Sequence, residues 1–597
     1  MSNPKEHSAA RQKIAAVFGV AFLALGLSGS GWAESVKPAA ADLILYNAKI
    51  WTVDDSKPQA EAVAIRGSQI VKVGNSRDIM ALKGPSTKVM DMEGKLVLPG
   101  FNDAHTHLGN AAEWVFQARL TDVNDQKLMQ KRIEEVTARV PKGMWITGGD
   151  WGTSAANSAR KESKTDFKAL VPDLKAIDAV TPDHPLLFRR YDLTYFANSK
   201  ALKMSRLTKN SPDPAGGSYG RDPVTGELTG MLYGTAGEIL ERQLPPMSLR
   251  QKLIGARHVQ ASLNKVGITS ITDIARFSDI SEEHIYPFNV ERSATDIKIF
   301  EALKQNGELN LRVYAIVPIE TLKDLGERNI TPGSGDEFLR VGALKIYGDS
   351  GIMMKPFKSG LPDEWSYRFA GEEEVAQEIL DADKAGFDVG THIIGDKASH
   401  LLIGWYGAAA AKNPPRDRRH RLIHFWHTNM DDIKEAARLG LTVDVQPYHL
   451  IREMAAMDKG LDEERAGSAH AWHSEIAAGL HVNLSSDLPG SYNKLHLAPF
   501  NPMENIYYAV TRSDIHGLPI GGWHPEQRMT IKEAIRAYTQ NPAWSSHEED
   551  IKGSITEGKL ADLVVLSKDI MTVPPRELLG TEVLYTVLGG KIVYNKK

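Results

Sequence analysis

Two histidines separated by one residue, His105 and His107, follow a short apolar run at Leu96 to Leu98. Side chains two positions apart in an extended segment point to the same side. The two imidazoles can therefore hold one metal ion, provided that further ligands converge on them. A chain with 19 histidines also produces such a pair by chance, so the pair needs partners elsewhere in the sequence.

Four candidate partners stand at the ends of later apolar runs. Lys345 lies in "ALKIYGDSG", His392 in "VGTHIIGDKA" and His424 in "RLIHFW", and Asp487 follows "HVNLSS". Each has an ordinary alternative: a hydrogen-bonded core histidine, a lysine ion-paired with Asp349, or a carboxylate at a helix N-cap. Their recurrence at successive strand ends favours one shared metal site.

The chemistry of this set is that of a divalent-metal centre with one or two ions. Imidazole and carboxylate ligands suit zinc, which we expect here, or manganese, iron or cobalt. A buried lysine such as Lys345 has a depressed pKa and can react with carbon dioxide. The resulting carbamate is an anionic oxygen ligand that can bridge two ions. Asp487 would accept the proton of a metal-activated hydroxide and return it to the leaving group, which makes it the candidate catalytic residue.

The elements that must position these residues alternate between apolar strands and amphipathic helices. This alternation predicts parallel βα units, and eight strands are the number found in a TIM-type barrel, whose active site lies at the carboxyl ends of its strands. The predicted strands lie near Val97 and within 267–275, 311–317, 341–351, 387–398, 420–426, 441–447 and 481–489.

Strand-rich sequence at both ends of the chain surrounds this α/β middle. We predict one composite β-domain from residues 34–98 and 551–597, and the barrel from 99–550. An insertion at about 140–250 is expected to form a lid or subdomain. Trp151 and Tyr191 within it are candidate substrate-binding residues.

His449, after "VDVQPY", is a further candidate for substrate binding. An ordinary loop histidine is the alternative at this position.

The first 33 residues have the pattern of a signal peptide. Lys5, Arg11 and Lys13 precede an apolar run at 14–27, and a cleavage site is expected after Ala33. The run is too short for a comfortable membrane span, although an uncleaved anchor helix is the alternative. The pattern predicts a periplasmic or secreted protein with no membrane span once the signal is removed.

Composition excludes several other classes of function. The chain has no cysteine, which rules out disulfides, thiolate ligands and cysteine nucleophiles. Its formal net charge is −4, and no long basic stripe predicts nucleic-acid binding. We expect a small-molecule substrate as the partner, and the oligomeric state is not readable from the sequence.

Several motifs together resemble the amidohydrolase superfamily, and within it the YtcJ-like branch that includes N-substituted formamide deformylase. The resemblance runs from about Asp42 to Lys597 and rests on "LPGFNDAHTHL", "GITSITD", "LKIYGDSG", "THIIGDKA", "SSDLP" and "IRAYTQNPA…GSITEGKLADLVVLS". It implies a distorted (β/α)₈ TIM barrel beside a small composite β-sandwich domain. It also implies that six residues match the family's metal-site positions, with Asp487 as the general base: His105, His107, Lys345, His392, His424 and Asp487.

Two positions depart from the branch pattern. The family commonly has Glu before the histidine of the sixth strand, where this chain has Ile423. The family commonly has Asp-Gly-His in the insertion, where this chain has Thr194 in place of the histidine. Both changes leave the ligand set intact and bear on the substrate.

The function favoured by these observations is an exported hydrolase of a non-peptide carbon–nitrogen bond, in an amide, N-substituted formamide, lactam or cyclic amide. The same metal site would also serve ester or lactone hydrolysis, or metal-assisted carbon–carbon cleavage, because a fold and a metal site do not fix the substrate. A periplasmic binding protein that lost catalysis is a third hypothesis, and the intact set of six residues argues against it.

Overall fold

Eight parallel strands follow one another around a barrel in the order of the chain, which confirms the predicted (β/α)₈ architecture. In the computed structural model each strand is almost entirely buried on both faces, as expected when helices cover the outside of a parallel sheet. The strands are Phe101–Thr106, Ile268–Ile274, Arg312–Pro318, Leu339–Tyr347, Asp388–Ile393, Arg421–His424, Thr442–Val445 and His481–Leu484.

The barrel is nearly closed between its first and last strands. Thr106 forms a parallel bridge with Leu488, a few residues beyond the eighth strand. From the fourth to the sixth strand the register has no irregularity, so that Tyr347 pairs with His392 and Ile393 pairs with His424. His392 and His424 are therefore held within one residue of the same level.

The first barrel strand lies a few residues later than the sequence predicted. The apolar run around Val97 forms Leu96–Pro99, which pairs with Lys49–Trp51 and Leu563–Leu566 outside the barrel. The first barrel strand is Phe101–Thr106. Gly100 separates the two strands, and its backbone N–H donates to the carbonyl of Asp562.

Strands from both ends of the chain build two sheets beside the barrel. A four-stranded sheet contains Ala41–Tyr46, Ala62–Arg66, Gln69–Gly74 and Lys83–Asp91, and a six-stranded sheet contains Lys49–Trp51, Gln59–Ala60, Leu96–Pro99, Leu563–Leu566, Val583–Leu588 and Lys591–Asn595. Arg312 of the third barrel strand donates from Nε and Nη2 to the two carboxylate oxygens of Asp562, at 2.6 and 3.0 Å. This Arg312–Asp562 clamp joins the barrel to the terminal sheets.

The insertion between the first and second barrel strands has its own six-stranded sheet. Its first three strands run parallel in chain order, and the rest are antiparallel. A side chain at Gly148 would place its Cβ 2.3 Å from the carbonyl oxygen of Ala118, so only glycine fits there. The strands are Gln117–Arg119, Thr147–Gly149, Leu187–Arg189, Thr194–Ala197, Gly217–Arg221 and Leu228–Gly234.

Several of the longer helices begin at a side chain that caps their free N–H groups. Ser248 and Gln251 form a capping box at the helix that precedes the second barrel strand, and Asn429 caps the helix after the sixth. The helices are Ser76–Met80, Leu108–Trp114, Gln126–Thr137, Leu174–Val180, Ser199–Met204, Thr235–Glu241, Leu249–Lys265, Asp296–Gln305, Leu322–Glu327, Glu372–Lys384, Asp396–Lys412, Met430–Arg438, Pro447–Gly460, Glu463–Gly467, Trp472–Ala477, Pro502–Thr511, Ile531–Ala537 and Gln540–Ser545.

The structure describes residues 39–120, 123–149, 151–152, 170–190, 192–276, 296–349, 353, 372–489 and 500–596. The predicted signal peptide, residues 1–33, lies outside these ranges. Within them, no helix is both long and apolar enough to cross a bilayer. Residues from Ala40 onward cluster into one compact unit.

Candidate metal centre

The six candidate ligands all lie at the carboxyl end of the barrel. Lys345, His392 and His424 each fall within the last three residues of their strands, and His105 is the penultimate residue of the first. His107 and Asp487 follow the first and eighth strands directly or within three residues. The sequence prediction of convergence at this end agrees with the active-site location in barrels of this type.

Backbone hydrogen bonds fix Asp487 against the histidine pair. The N–H of Asp487 donates to the carbonyl of His105 at 2.9 Å, and the N–H of His107 donates to the carbonyl of Leu488 at 2.6 Å. Asp487 has a φ of +53°, a left-handed conformation that costs energy in most residues and occurs often at functional sites. The carboxylate is thereby aimed between the two imidazoles.

The two oxygens of Asp487 face different histidines. Oδ1 lies 3.2 Å from Nε2 of His105 and 3.3 Å from Nε2 of His107. Oδ2 lies 3.5 Å from Nε2 of His449. Metal–ligand bonds of about 2.0–2.1 Å in a tetrahedral site place donor atoms roughly 3.3–3.4 Å apart. The spacing and the donor types therefore fit a divalent ion.

His424 lies at the centre of a second group of donors. Its ring centroid is 4.4 Å from that of His392 and 5.3 Å from that of His105. Its Nδ1 lies 2.7 Å from Oε1 of Gln446, whose Nε2 donates to Oγ of Ser485 at 2.9 Å. An amide oxygen only accepts, so Nδ1 of His424 carries the proton and Nε2 keeps the lone pair that binds metal.

Burial keeps the histidines in the form that binds cations. Desolvation lowers the pKa of both His105 and His424 to about 3 and lowers that of His392 well below its usual value. These imidazoles are neutral donors at pH 7. Burial alone would raise the pKa of Asp487, but the hydrogen bonds from His105 and His107 hold it well below the usual range, so its carboxylate is ionised.

Lys345 is buried and forms no ion pair with the described residues, although Asp487 and Asp444 are near enough to attract its charge. Burial lowers its pKa to about 7, and its Nζ lies 4.7 Å from the ring centroid of Tyr347. Among the described residues it makes no ion pair, and in particular none with Asp349. That carboxylate accepts the N–H groups of Ile394 and Gly395 at 2.8 and 3.0 Å. The ion-paired alternative for Lys345 is therefore not the one found.

Three polar residues that support the centre were missed from the sequence. Gln446 fixes the tautomer of His424. Oδ1 of Asp103 accepts the N–H of Ser486 at 2.9 Å, which ties the end of the eighth strand to the first. Oδ1 of Asp273 accepts both the hydroxyl of Thr106 and the N–H of Leu108 at 2.7 Å, on either side of His107. The available signal was a polar residue in or directly after an apolar strand run.

The predicted substrate residues have different surroundings. Trp151 is fully buried, its Nε1 donates to the carbonyl of Leu170 at 2.7 Å, and Arg190 lies over its ring. Tyr191 lies outside the described residues. Thr194 begins a strand of the inserted sheet and pairs with Tyr233. Of the two proposed substrate contacts that the structure describes, His449 lies beside a candidate ligand and Trp151 packs inside the insertion.

Two related proteins match nearly the whole chain. "Putative amidohydrolase YtcJ" of Bacillus subtilis is 26% identical over 93% of this chain and 99% of its own length. "N-substituted formamide deformylase" of Arthrobacter pascens is 27% identical over 93% of this chain and 98% of its own. These matches confirm the resemblance to the YtcJ-like branch.

A solved structure has the same fold. An uncharacterized metal-dependent hydrolase from Pyrococcus horikoshii superimposes with a TM-score of 0.65 at 20% identity, over 89% of this chain and 99% of that chain. The sequence model of the amidohydrolase family matches residues 88–594, which is most of the sequence. The chain therefore belongs to the amidohydrolase family, and it is a metal-dependent hydrolase that acts on carbon–nitrogen bonds other than peptide bonds.

Proposed function

We propose that this chain hydrolyses a small non-peptide amide, in the class of N-substituted formamides, lactams and cyclic amides. The observation that carries the proposal is Asp487: an ionised, buried carboxylate whose two oxygens face imidazoles of three different histidines. The name of the Arthrobacter relative, N-substituted formamide deformylase, supports this choice of bond.

The metal would be held by His105, His107, Lys345, His392, His424 and Asp487, and we propose zinc as the natural ion. When bound, divalent ions supply a strong nucleophile at neutral pH and polarise the carbonyl that it attacks. Asp487 takes the proton of the attacking water and delivers it to the departing nitrogen, which is a poor leaving group until it is protonated. General acid–base transfer of this kind contributes roughly 10²–10⁴-fold.

Lys345 is proposed to be carboxylated. Its neutral amine adds to carbon dioxide with loss of a proton, and the carbamate oxygens then serve as ligands. Burial, a lowered pKa and the lack of an ion pair among the described residues support this assignment. Lys345→Ala should lose metal and activity together, and short carboxylic acids should restore part of both. Lys252→Ala is the control, because Lys252 is equally buried but pairs with Glu113 at 2.8 Å. Full metal content and activity in Lys345→Ala would contradict the assignment.

The insertion is proposed to cover the strand ends and contribute to the substrate pocket. Loops that follow barrel strands at this face build active sites. Substitution of Tyr191 should change the substrate preference while metal content stays constant. Substitution of Trp151, which is buried inside the insertion, should alter the kinetics only by disturbing the packing of the insertion. If neither variant alters the kinetics for any accepted substrate, the insertion is only structural.

We also propose that the protein is exported. The charged, apolar and small-residue pattern of residues 1–33 supports cleavage after Ala33. Material recovered from the periplasm should begin at Glu34. Recovery of a form with an intact Met1 from the cytoplasm would contradict export.

One experiment tests the catalytic proposal most directly. The metal-depleted protein is reconstituted with zinc and assayed against N-substituted formamides and lactams, each beside an ester or lactone of matched shape. We expect metal-dependent turnover with preference for the nitrogen compounds. Preference for the oxygen compounds would establish the ester alternative, and tight binding without turnover would establish a binding protein.

A further inference from the structure

His449 occupies a place that substrate binding alone does not explain. It lies in the first turn of the helix Pro447–Gly460, directly after the seventh barrel strand, and its N–H donates to the carbonyl of Gln446 at 2.9 Å. The side chain is buried, with only 3% of its surface exposed. Pro447 begins the helix, and the imidazole of His449 reaches the carboxylate of Asp487 at the strand ends.

The ring of His449 faces the same carboxylate as the first histidine pair, from the opposite side. Its Nε2 lies 3.5 Å from Oδ2 of Asp487, whereas His105 and His107 lie against Oδ1. Its ring centroid is 5.6 Å from that of His424. A second group of possible ligands consists of His424, His449 and Asp487. Each offers one donor atom, and these three atoms lie within 4.8 Å of one another. The chain thus presents two groups of three donors that share Asp487.

A hydrogen bond explains the contact between His449 and Asp487 less well than a shared metal ion does. The 3.5 Å separation exceeds the usual range of about 2.7–3.2 Å for an N–H···O bond. Nδ1 of His449 is buried and has no hydrogen-bond partner among the described residues, so no contact fixes a proton on Nε2. The separation is close to the distance between two ligands of one tetrahedral ion.

We infer that His449 is a seventh ligand of this centre, beside the six proposed above, and that it holds a second divalent ion together with His424 and Asp487 while Asp487 also binds the ion held by His105 and His107. The inference rests on the proposed metal-dependent function and deepens it, because it assigns a ligand from the helix that follows the seventh strand. A carboxylate shared in this way suits two ions about 3.5–4 Å apart.

The first test is metal stoichiometry with cobalt(II) as the probe. Metal-free wild type, His449→Gln and His449→Phe are titrated, and bound cobalt is measured by mass spectrometry and by its visible absorption. We expect two ions in the wild type. Both variants should keep the first ion and bind the second at least about tenfold more weakly, with a changed spectrum for the second equivalent.

The matched control is His427→Gln. His427 is similarly buried and lies three residues after His424, but no donor of its ring joins either group of candidate ligands. It should bind two ions as the wild type does. Circular dichroism establishes that each variant is folded before titration.

Crystals of the zinc-loaded wild type give a second test that needs no variant. Anomalous scattering should place one ion about 2.1 Å from Nε2 of His449. Two ions with neither in bonding distance of His449 would overturn the inference, as would unchanged cobalt binding by both His449 variants. A wild type with one ion overturns this inference alone, and a wild type that binds no divalent ion overturns the proposed function as well.

Discussion

The two ends of the barrel hold buried carboxylates in opposite electrostatic settings. At the amino end, Asp388 accepts from Arg416 at 2.8 Å and lies 2.8 Å from His547. Asp383 lies there as well, with Arg416 at 2.7 Å and Arg418 at 2.9 Å. At the carboxyl end, Asp487 faces imidazoles, and no lysine or arginine of the described chain forms an ion pair with it.

The carboxylates at the amino end are paired with cationic side chains, whereas the carboxylate at the carboxyl end is suited to bind a cation. Burial of an unpaired carboxylate is costly, and the amino end meets that cost with guanidinium groups. At the carboxyl end Asp487 has imidazoles as neighbours but no guanidinium or ammonium group in ion-pair contact among the described residues, which leaves room for a bound cation to supply positive charge. In TIM barrels generally, the active site lies at the carboxyl ends of the strands, and residues at the amino ends contribute to stability.

The same substitution at both ends should separate the two roles. Asp487→Asn keeps the size of the side chain but cannot carry the proton, so turnover should fall by roughly 10²–10⁴-fold. In the metal-free protein this substitution should lower the unfolding temperature less than Asp388→Asn does, because only the contacts of Asp487 with His105 and His107 are weakened. Steady-state kinetics and thermal unfolding measure the two effects.

Asp388→Asn is the counterpart and should do the reverse. It removes the charge that faces Arg416 and His547, although Arg416 keeps its pair with Asp383, so the unfolding midpoint should fall while turnover per folded molecule stays at the wild-type value. Near wild-type turnover in Asp487→Asn, or a catalytic loss in folded Asp388→Asn, would remove the distinction between the two ends.

The Arg312–Asp562 clamp should show the largest effect on stability. Arg312→Met leaves a buried carboxylate unpaired, which costs about 3–5 kcal/mol in the free energy of unfolding. Urea titration measures this loss. The exposed Arg242, whose side chain lies 3.6 Å from Glu238, supplies the control, and Arg242→Met should cost about 1 kcal/mol or less. Equal losses of unfolding free energy in the two variants would show that burial of the Arg312–Asp562 clamp adds no stability.

Gln446 should affect metal affinity rather than folding. Gln446→Leu removes the acceptor that fixes the tautomer of His424, and loss of such a contact typically weakens metal binding about 10–100-fold. Competition with a chelator measures the change. Gln260→Leu is a buried control away from the centre, since Gln260 donates to the carbonyl of Glu308. A wild-type metal affinity in Gln446→Leu would mean that His424 is positioned by its strand alone.

The smallest effect is a gradual dependence of stability on pH. Burial raises the pKa of Asp388, but the hydrogen bond from His547 and the nearby cations hold it far below its usual value. The unfolded chain binds protons near pH 4, where folded Asp388 does not, so stability is full above about pH 5 and declines as pH falls. Thermal unfolding between pH 3 and 7 should show this decline, and Arg416→Met should flatten it. A wild-type midpoint that is constant over that range would exclude the effect.

The sequence predicted the barrel well because most of its strands are apolar runs flanked by turn residues and helices. It misassigned the first strand because the apolar run is Leu96–Pro99, whereas Phe101–Thr106 is buried but consists mostly of polar residues. Periodicity identifies a strand but does not identify the sheet that it joins, which depends on partners hundreds of residues away.

The site could be predicted in part for a similar reason. His392 and His424 end apolar strands and His105 follows an apolar run, and those positions were visible in the sequence. Gln446 follows the seventh strand directly, but its role depends on the ring of His424 opposite it. The role of His449 depends on the direction of the helix that begins at Pro447. Trp151 looked like a pocket aromatic, and its indole N–H is already used within the insertion.

The composite six-stranded sheet has a consequence for the order of synthesis. Leu96–Pro99 pairs on one edge with Lys49–Trp51, which the ribosome makes early, and on the other with Leu563–Leu566, which it makes nearly last. One edge of that strand therefore stays open while more than four hundred residues are added, and an open apolar edge invites pairing between chains. A stop codon shortly before residue 563 would leave the barrel sequence intact, yet the product would keep the exposed edge and lose the carboxylate that holds Arg312. A truncation within the last tenth of the coding sequence should therefore impair folding as strongly as a truncation near its start.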